Sequence, residues 1–179
     1  MKFSMFKQQR LYELLIEQWG DVRIPDLFEV LRVARPRRVL ETGSYRGVST
    51  EFWALHCAHV TSIDPSPNMA VRRELHARLG HYPHVSLIEG SSPWVPGHFD
   101  FDLVYLDGDH SAAKVHAEIE TYLPLLAPGA WIGGHDYTDT PAPGDGVKVA
   151  VDALLGIPPY RFSDGSWLVR VLEKHHERA

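Results

Sequence analysis

A single cysteine in 179 residues, no apolar run of membrane-spanning length and no surplus of positive charge narrow this chain first by what it lacks. Cys57 has no partner for an intrachain disulfide, and its place in an apolar helical pattern reads as a buried, inert thiol. The first ten residues are too polar for the apolar segment of a signal peptide, and no stretch reaches the ~20 apolar residues that a bilayer demands. The expectation is a cytoplasmic protein with no membrane partner. Lys and Arg number 18 against 23 Asp and Glu, a formal charge of -5; a phosphate backbone is repelled, and no nucleic-acid partner is expected. Repeats and low-complexity segments are missing as well, apart from a short polar tail after Leu172.

What is present is ordinary for a globular protein, with 44% apolar and 23% charged residues. The length suits one domain over 1–179, organised as an N-terminal helical cap (1–34) and an α/β core (35–172). Leu11, Leu14, Leu15 and Trp19 lie at helical spacing within 7–19, and Leu27, Val30, Leu31 and Ala34 repeat this within 25–34. These two helices either cover a sheet edge or roof a substrate pocket. Eleven histidines make the net charge sensitive to mild acid.

From residue 38 onward, strand and helix patterns alternate. Strands are expected at Val39–Leu40, 60–64, 85–89, 101–107 and 130–134, with helices over 49–59, 69–79, 112–126 and 147–155. This order predicts a Rossmann-like, doubly wound sheet, mostly parallel, with right-handed crossovers. Asp164-Gly165 between Tyr160–Ser163 and Trp167–Val171 is a hairpin signal, so one antiparallel strand near the C-terminus is expected to end the sheet.

The centre of this organisation is Glu41-Thr42-Gly43-Ser44-Tyr45-Arg46-Gly47-Val48-Ser49. Gly43 and Gly47 permit tight turns between a buried strand and a helix whose free N–H groups and positive dipole end attract an anion. Acidic or small polar residues then recur at successive strand ends: Glu41, Asp64, Ser91 and Ser92, Asp107, Asp136. In a parallel sheet these ends share one rim. Helix capping explains one or two of them; carboxylates at four of five ends point to a binding crevice. Asp64 lies 21 residues beyond Gly43, the spacing at which a second-strand acid binds a ribose diol. Ser44 and Tyr45 fill the place of the central glycine of a dinucleotide fingerprint, and Glu41 repels a pyrophosphate while favouring a sulfonium and an amino group.

These motifs, together with Leu106-Asp107-Gly108-Asp109-His110 and the run 128–137 ending in Gly133-Gly134-His135-Asp136-Tyr137, resemble a class I S-adenosylmethionine-dependent methyltransferase. Within that class the chain is most similar to small bacterial enzymes near the metal-dependent O-methyltransferases of the catechol and macrolide-sugar type. The resemblance spans roughly 35–172. It implies that Glu41 and the loop Gly43, Ser44, Tyr45 and Gly47 hold the methionine end of S-adenosylmethionine, with Ser49 meeting its carboxylate. Asp64 takes the ribose hydroxyls, and Ser91, Ser92 and Asp107 border the adenine. It further implies that Asp107 and Asp136 share a divalent cation (magnesium, manganese or calcium), a set suited to oxygen ligands, and that His110 is the general base. Imidazole suits that task near neutrality; the alternative for His110 is a helix cap.

Tyr137 departs from the catechol-type pattern, which has an amide there, and His135 is the substitute metal ligand, although a regular strand would point residues 135 and 136 to opposite sides. Trp94, Trp131, Tyr137 and Tyr105 are candidates for lining an acceptor pocket, with core packing as the alternative for Trp131 and Tyr105. The loops 93–97 and 138–146 are those most free to shape it. The expected activity is methyl transfer to an oxygen of a small-molecule acceptor. Its rivals are a nicotinamide-dependent oxidoreductase and a non-catalytic protein that binds the adenosyl cofactor. The sequence leaves the oligomeric state open, a homo-oligomer included.

Overall fold

The computed structural model describes residues 7, 9, 10, 13, 24–65, 68–140, 142 and 145–173. Most of the helix expected over 7–19, including Leu11, Leu14, Leu15 and Trp19, lies outside the described residues; Lys7, Gln9, Arg10 and Glu13 within it are helical. The remaining elements run α1 (Ile24–Ala34), β1 (Arg38–Thr42), α2 (Val48–His56), β2 (His59–Asp64), α3 (Met69–Leu79), β3 (Val85–Glu89), β4 (Leu103–Leu106), α4 (Ala112–Tyr122), β5 (Trp131–Gly134), α5 (Val147–Leu154), β6 (Tyr160–Arg161) and β7 (Trp167–Arg170).

Seven strands form one sheet in the order β3-β2-β1-β4-β5-β7-β6. Strands β1 to β5 are mutually parallel, and β7 runs antiparallel between β5 and β6. The expected class is therefore observed, with β1 at the point where the strand order reverses and a crevice opens at the strand carboxyl ends. Alternation along the strands separates two cores. Val39, Val60, Leu103 and Tyr105 meet Leu27, Val30, Phe52, Trp53 and Leu75 on one face. Leu40, Ile63, Val104 and Ile132 meet Val115, Ile119, Tyr122 and Val151 on the other.

Two elements are shorter than their sequence pattern. The strand expected over 101–107 begins at Leu103, because the Asp102 carboxylate accepts the Arg37 and Arg38 N–H groups (2.8 and 2.9 Å) and caps the start of β1. Helix α4 stops at Tyr122 rather than 126: Pro124 has no N–H to continue the ladder, and Leu123–Leu125 tightens into a 3-10 turn.

One ionic cluster ties the N-terminal segment to this core. Glu51 of α2, wholly buried, accepts hydrogen bonds from Arg10 Nε (2.8 Å) and Nη2 (2.6 Å), Arg78 Nη1 (2.9 Å) and the Tyr82 hydroxyl (2.9 Å). Burial alone raises its pKa, but these donors outweigh burial and hold it below the ordinary 4.5. Glu51→Ala removes the buried anion that Arg10 and Arg78 share, while Arg10 keeps Glu13, a loss of about 3 kcal/mol and a fall of about 10 °C in melting temperature for a chain of this size. Since the folded-state pKa is depressed, the stabilisation is present above pH 4.5 and is lost as pH falls through the lower folded-state value. Melting temperatures of wild type and variant therefore converge in acid, and a constant gap from about pH 7 to about pH 3 contradicts this role.

Candidate functional site

The loop after β1 is shaped by its glycines. Gly43 (φ +85°) and Gly47 (φ +81°) occupy the left-handed region, and a Cβ on Gly43 would run into the Asp107 carbonyl. The β1 and β4 loops thus touch backbone to backbone and leave a cradle above them. Helix α2 starts at Gly47 with no side-chain cap, so its first N–H groups face the loop.

Glu41 stands beneath this loop rather than in the crevice. It is wholly buried; its Oε2 accepts the Thr50 hydroxyl and that of Ser62 (2.7 Å), and the Ser62 and Ser44 hydroxyls are 2.6 Å apart. Burial raises the Glu41 pKa against the pull of these hydroxyls. Its other oxygen, Oε1, has no hydrogen-bond partner among the described residues. Ser49 is also buried, in the first turn of α2. Asp64, at the end of β2, accepts the Tyr45 N–H on Oδ2 (2.9 Å), and Tyr45 itself, at φ 43°, is exposed.

Tyr45 and Asp64 border a crevice of about 450 Å³ that Glu41, Ser44, Gly47 and Ser49 do not line. Gly43, Tyr45 and Asp64 line one side; Ser91, Ser92 and Lys114 line another, and Asp107, Gly108 and Asp109 form the base. A second cavity, of about 790 Å³, opens beyond β5 and takes in Asp136, Tyr137, Thr138, Thr140, Asp145, Arg161 and Asp164. The loop over 138–146 contributes to it, as its composition suggests. Of the four aromatic residues considered for an acceptor pocket, Tyr137 alone is among its lining residues. Tyr105 is buried in the core with its hydroxyl 2.9 Å from Ser166 Oγ, and Trp131 packs edge-on against Tyr160.

Between the two cavities lie Asp107, His110 and Asp136, whose ligand atoms all fall within 4.8 Å of one another. His110 Nε2 is 3.2 Å from Asp136 Oδ2 and 4.0 Å from Asp107 Oδ1, and its Nδ1 is 3.8 Å from Asp145 Oδ1. The capping alternative for His110 loses ground: the Asp109 carboxylate accepts the Ser111 N–H (2.9 Å) at the start of α4. Burial first, then repulsion from Glu41, Asp136 and Asp164, pushes the Asp107 pKa well above the usual carboxylate range, with His135 opposing.

The surroundings of His135 differ from those of a regular strand. The regular strand ends at Gly134, and Asp136 turns into the left-handed region (φ 59°), so residues 135 and 136 converge instead of diverging. His135 Nδ1 lies 3.1 Å from Asp136 Oδ2, and Nε2 faces Asp164 Oδ2 at 3.6 Å. Burial lowers the His135 pKa, but the two carboxylates reverse this and raise it to about 10. The histidine whose nitrogen falls within 4.8 Å of both Asp107 and Asp136 oxygens in one cluster is His110. For Asp136 and Asp164 burial is outweighed by the nearby His135 together with their other partners, and both stay below the usual carboxylate range. Tyr137 points away from this cluster; its hydroxyl donates to Asp152 Oδ1 (2.6 Å) and accepts from Lys148 Nζ (3.2 Å).

Two of the site's carboxylates escape a reading of the sequence. Asp164 is visible there only as half of a turn dipeptide, and Asp145 only as part of a Pro/Gly-rich loop. Pairing with histidines on distant segments has no periodic signature.

Similar folds are found among solved structures. An O-methyltransferase from Bacillus cereus, in complex with SAH, aligns at 17% identity over 92% of this chain and 91% of that one, with a TM-score of 0.68. The O-methyltransferase TomG from Streptomyces achromogenes, in complex with SAM, aligns at 20% over 96% and 90%, TM-score 0.64. The N-methyltransferase NodS from Bradyrhizobium japonicum WM9 aligns at 18% over 94% and 97%, TM-score 0.61. No curated protein sequence matches the chain. Residues 40–137, which run from the centre of β1 to the tyrosine after Asp136, match the methyltransferase domain family, and with both the glycine loop and the rim carboxylates inside that match, the chain belongs to it.

Proposed function

We propose that this methyltransferase moves the methyl group of S-adenosylmethionine to an oxygen of a small-molecule acceptor. The observation that carries the reading is the junction of two cavities at one basic group. Asp107 belongs to the first, Asp136 to the second, and the His110 imidazole lies between them. The crevice suits an adenosyl ligand in its details: a backbone cradle that a Cβ would fill, an uncapped helix start for a carboxylate, Asp64 for a diol, and an unfilled acceptor on Glu41 beneath the loop. The Bacillus cereus and Streptomyces enzymes, each crystallised with this cofactor or its product, support the same assignment.

S-adenosylmethionine supplies an electrophilic methyl group on a sulfonium and leaves as the neutral thioether. The protein's part is to hold the acceptor hydroxyl at the junction and remove its proton. His110 Nε2 takes that proton, Asp136 stabilises the imidazolium that results, and Asp145 stands at Nδ1 to orient the ring. The His135 cation, gripped by Asp136 and Asp164, keeps Asp136 ionised for this task. Alignment of oxygen, methyl carbon and sulfur supplies most of the remaining rate gain.

Two carboxylates and an imidazole within 4.8 Å fit a divalent cation of the magnesium or manganese kind. Asp107 and Asp136 would hold it, and it would lower the pKa of the acceptor hydroxyl whose proton His110 takes. Burial first, and then repulsion from Glu41, Asp136 and Asp164, raise the Asp107 pKa, and a bound cation would offset both. Asp107→Ala and Asp136→Ala should each abolish stimulation by added magnesium or manganese, and Asp136→Ala, whose side chain lines only the second cavity, should leave affinity for S-adenosylhomocysteine within about threefold. Methyl transfer that persists in a chelator removes the cation from this scheme and leaves His110 as the sole activator.

A further inference from the structure

The cavity of about 790 Å³ beyond β5 offers many hydrogen-bond acceptors and few donors. Four carboxylates line it, those of Asp136, Asp139, Asp145 and Asp164. Ser163, also in the lining, donates its hydroxyl hydrogen to Asp26 in the first turn of α1 (3.1 Å), which leaves its oxygen lone pairs for a ligand. The Tyr137 hydroxyl is spent on Asp152 and Lys148, and Lys148 Nζ lies 4.9 Å from the centroid of its buried ring. Phe162 packs against the first core. A flat apolar acceptor therefore finds little to stack on, and it would strip water from the carboxylates without pairing them.

Charge follows the same pattern. Arg161 is the only cationic side chain among the described lining residues. Asp136 and Asp164 share one buried cation, His135, at 3.1 and 3.6 Å. The Asp164 side chain is wholly buried, and its Oδ2 accepts no hydrogen bond from any described residue. Asp139 has Lys148 Nζ at 3.8 Å, but that ammonium is held more closely by Asp152, at 2.7 Å. Negative charge thus exceeds positive around the cavity. A divalent cation between Asp107 and Asp136 would leave the sign unchanged, because Asp107 brings a charge of its own.

We infer that the acceptor is a polyhydroxylated amine bound as its ammonium ion, with the nitrogen set against the loop carboxylates Asp139 and Asp145 and a neighbouring hydroxyl presented to His110. The inference rests on the reading of this cavity as the acceptor site. Asp145 Oδ1 stands 3.8 Å from His110 Nδ1, so a cation gripped there lies beside the base. An ammonium carries three donors and no lone pair. It matches the acceptor-rich lining and is itself withheld from methylation, while the adjacent hydroxyl, relieved of its proton by His110, remains as the nucleophile. A carboxylate in its place would meet like charge, which disfavours the wrong partner.

The test is titration of D-glucosamine, D-glucose and D-glucuronate, followed by saturation-transfer NMR near neutral pH with S-adenosylhomocysteine bound, into wild type, Asp139→Asn and Arg161→Gln. The three probes share a ring and most of its hydroxyls and differ in charge. Wild type should bind glucosamine about tenfold or more tightly than glucose, and glucuronate more weakly than either. Asp139→Asn should weaken glucosamine by about threefold and Arg161→Gln strengthen it by a similar factor, the weight of one exposed charge, with glucose unmoved by both. Opposite responses of one ligand to two substitutions separate charge recognition from a disturbed fold. Equal affinity for glucosamine and glucose, a preference for glucuronate, binding of none of the three, or a glucosamine affinity that ignores both substitutions overturns the inference while the methyltransferase reading stands. A wild-type protein that fails to bind S-adenosylhomocysteine, titrated first, overturns that reading and the inference with it.

Discussion

His110→Ala lowers turnover by about a hundredfold or more, the usual contribution of a positioned general base, and leaves the affinity for S-adenosylhomocysteine nearly intact. Three observations separate this outcome from a structural defect. The His110 carbonyl accepts the Gly146 N–H (2.7 Å), so the backbone at this point stays anchored without the imidazole. The start of α4 is held through Asp109, not His110. The ring nitrogens face Asp136 and Asp145 rather than the apolar core. The acid limb of the pH–rate profile should vanish in the variant, since the group whose protonation blocks proton removal is gone. An active variant with a lowered melting temperature would instead assign His110 to the scaffold, at the ~1 kcal/mol typical of a lost cap.

Asp64→Ala weakens S-adenosylhomocysteine by about a hundredfold, the weight of one or two hydrogen bonds to a charged acceptor, and weakens adenosine in proportion. Asp64 borders the crevice at the end of β2 and holds the Tyr45 N–H with one oxygen, which fixes the direction of its carboxylate. Glu41→Gln behaves differently. Glu41 lies beneath the loop, bonded to Thr50 and Ser62, with its unfilled Oε1 as the atom that responds to the ligand. Its loss should reduce affinity for ligands that carry the methionine moiety and spare adenosine. Isothermal titration of both ligands into both variants checks the division, and equal losses throughout would falsify it.

The sheet and its rim are legible in the sequence because each rests on a local signal. Alternation in β1 to β5 is a short-range pattern, and an acid at a strand end is visible wherever the strand end is visible. Gly43 is legible for the same reason: a strand running into a helix has to turn, and the approach of Asp107 explains why that turn needs no side chain. Illegible features depend on which distant groups meet. Glu41 reads as a rim carboxylate, yet the hydroxyls of Thr50 and Ser62 fold over it. Glu51 reads as a first-turn helix acid, and its partners Arg10, Arg78 and Tyr82 come from three other segments. A regular strand extended one residue too far misplaces His135; the left-handed turn at Asp136 redirects both side chains. Glu118 resembles any acid on a helix until Ser92 and Thr42 close over it.

The most direct test of the central claim is a calorimetric titration of the wild-type protein with S-adenosylhomocysteine and, separately, with NAD. The glycine loop, the buried Glu41 and Asp64 at the crevice rim predict binding of S-adenosylhomocysteine at one site per chain and no binding of NAD, whose pyrophosphate meets a loop without the central glycine. Saturable NAD binding with no response to S-adenosylhomocysteine contradicts the account.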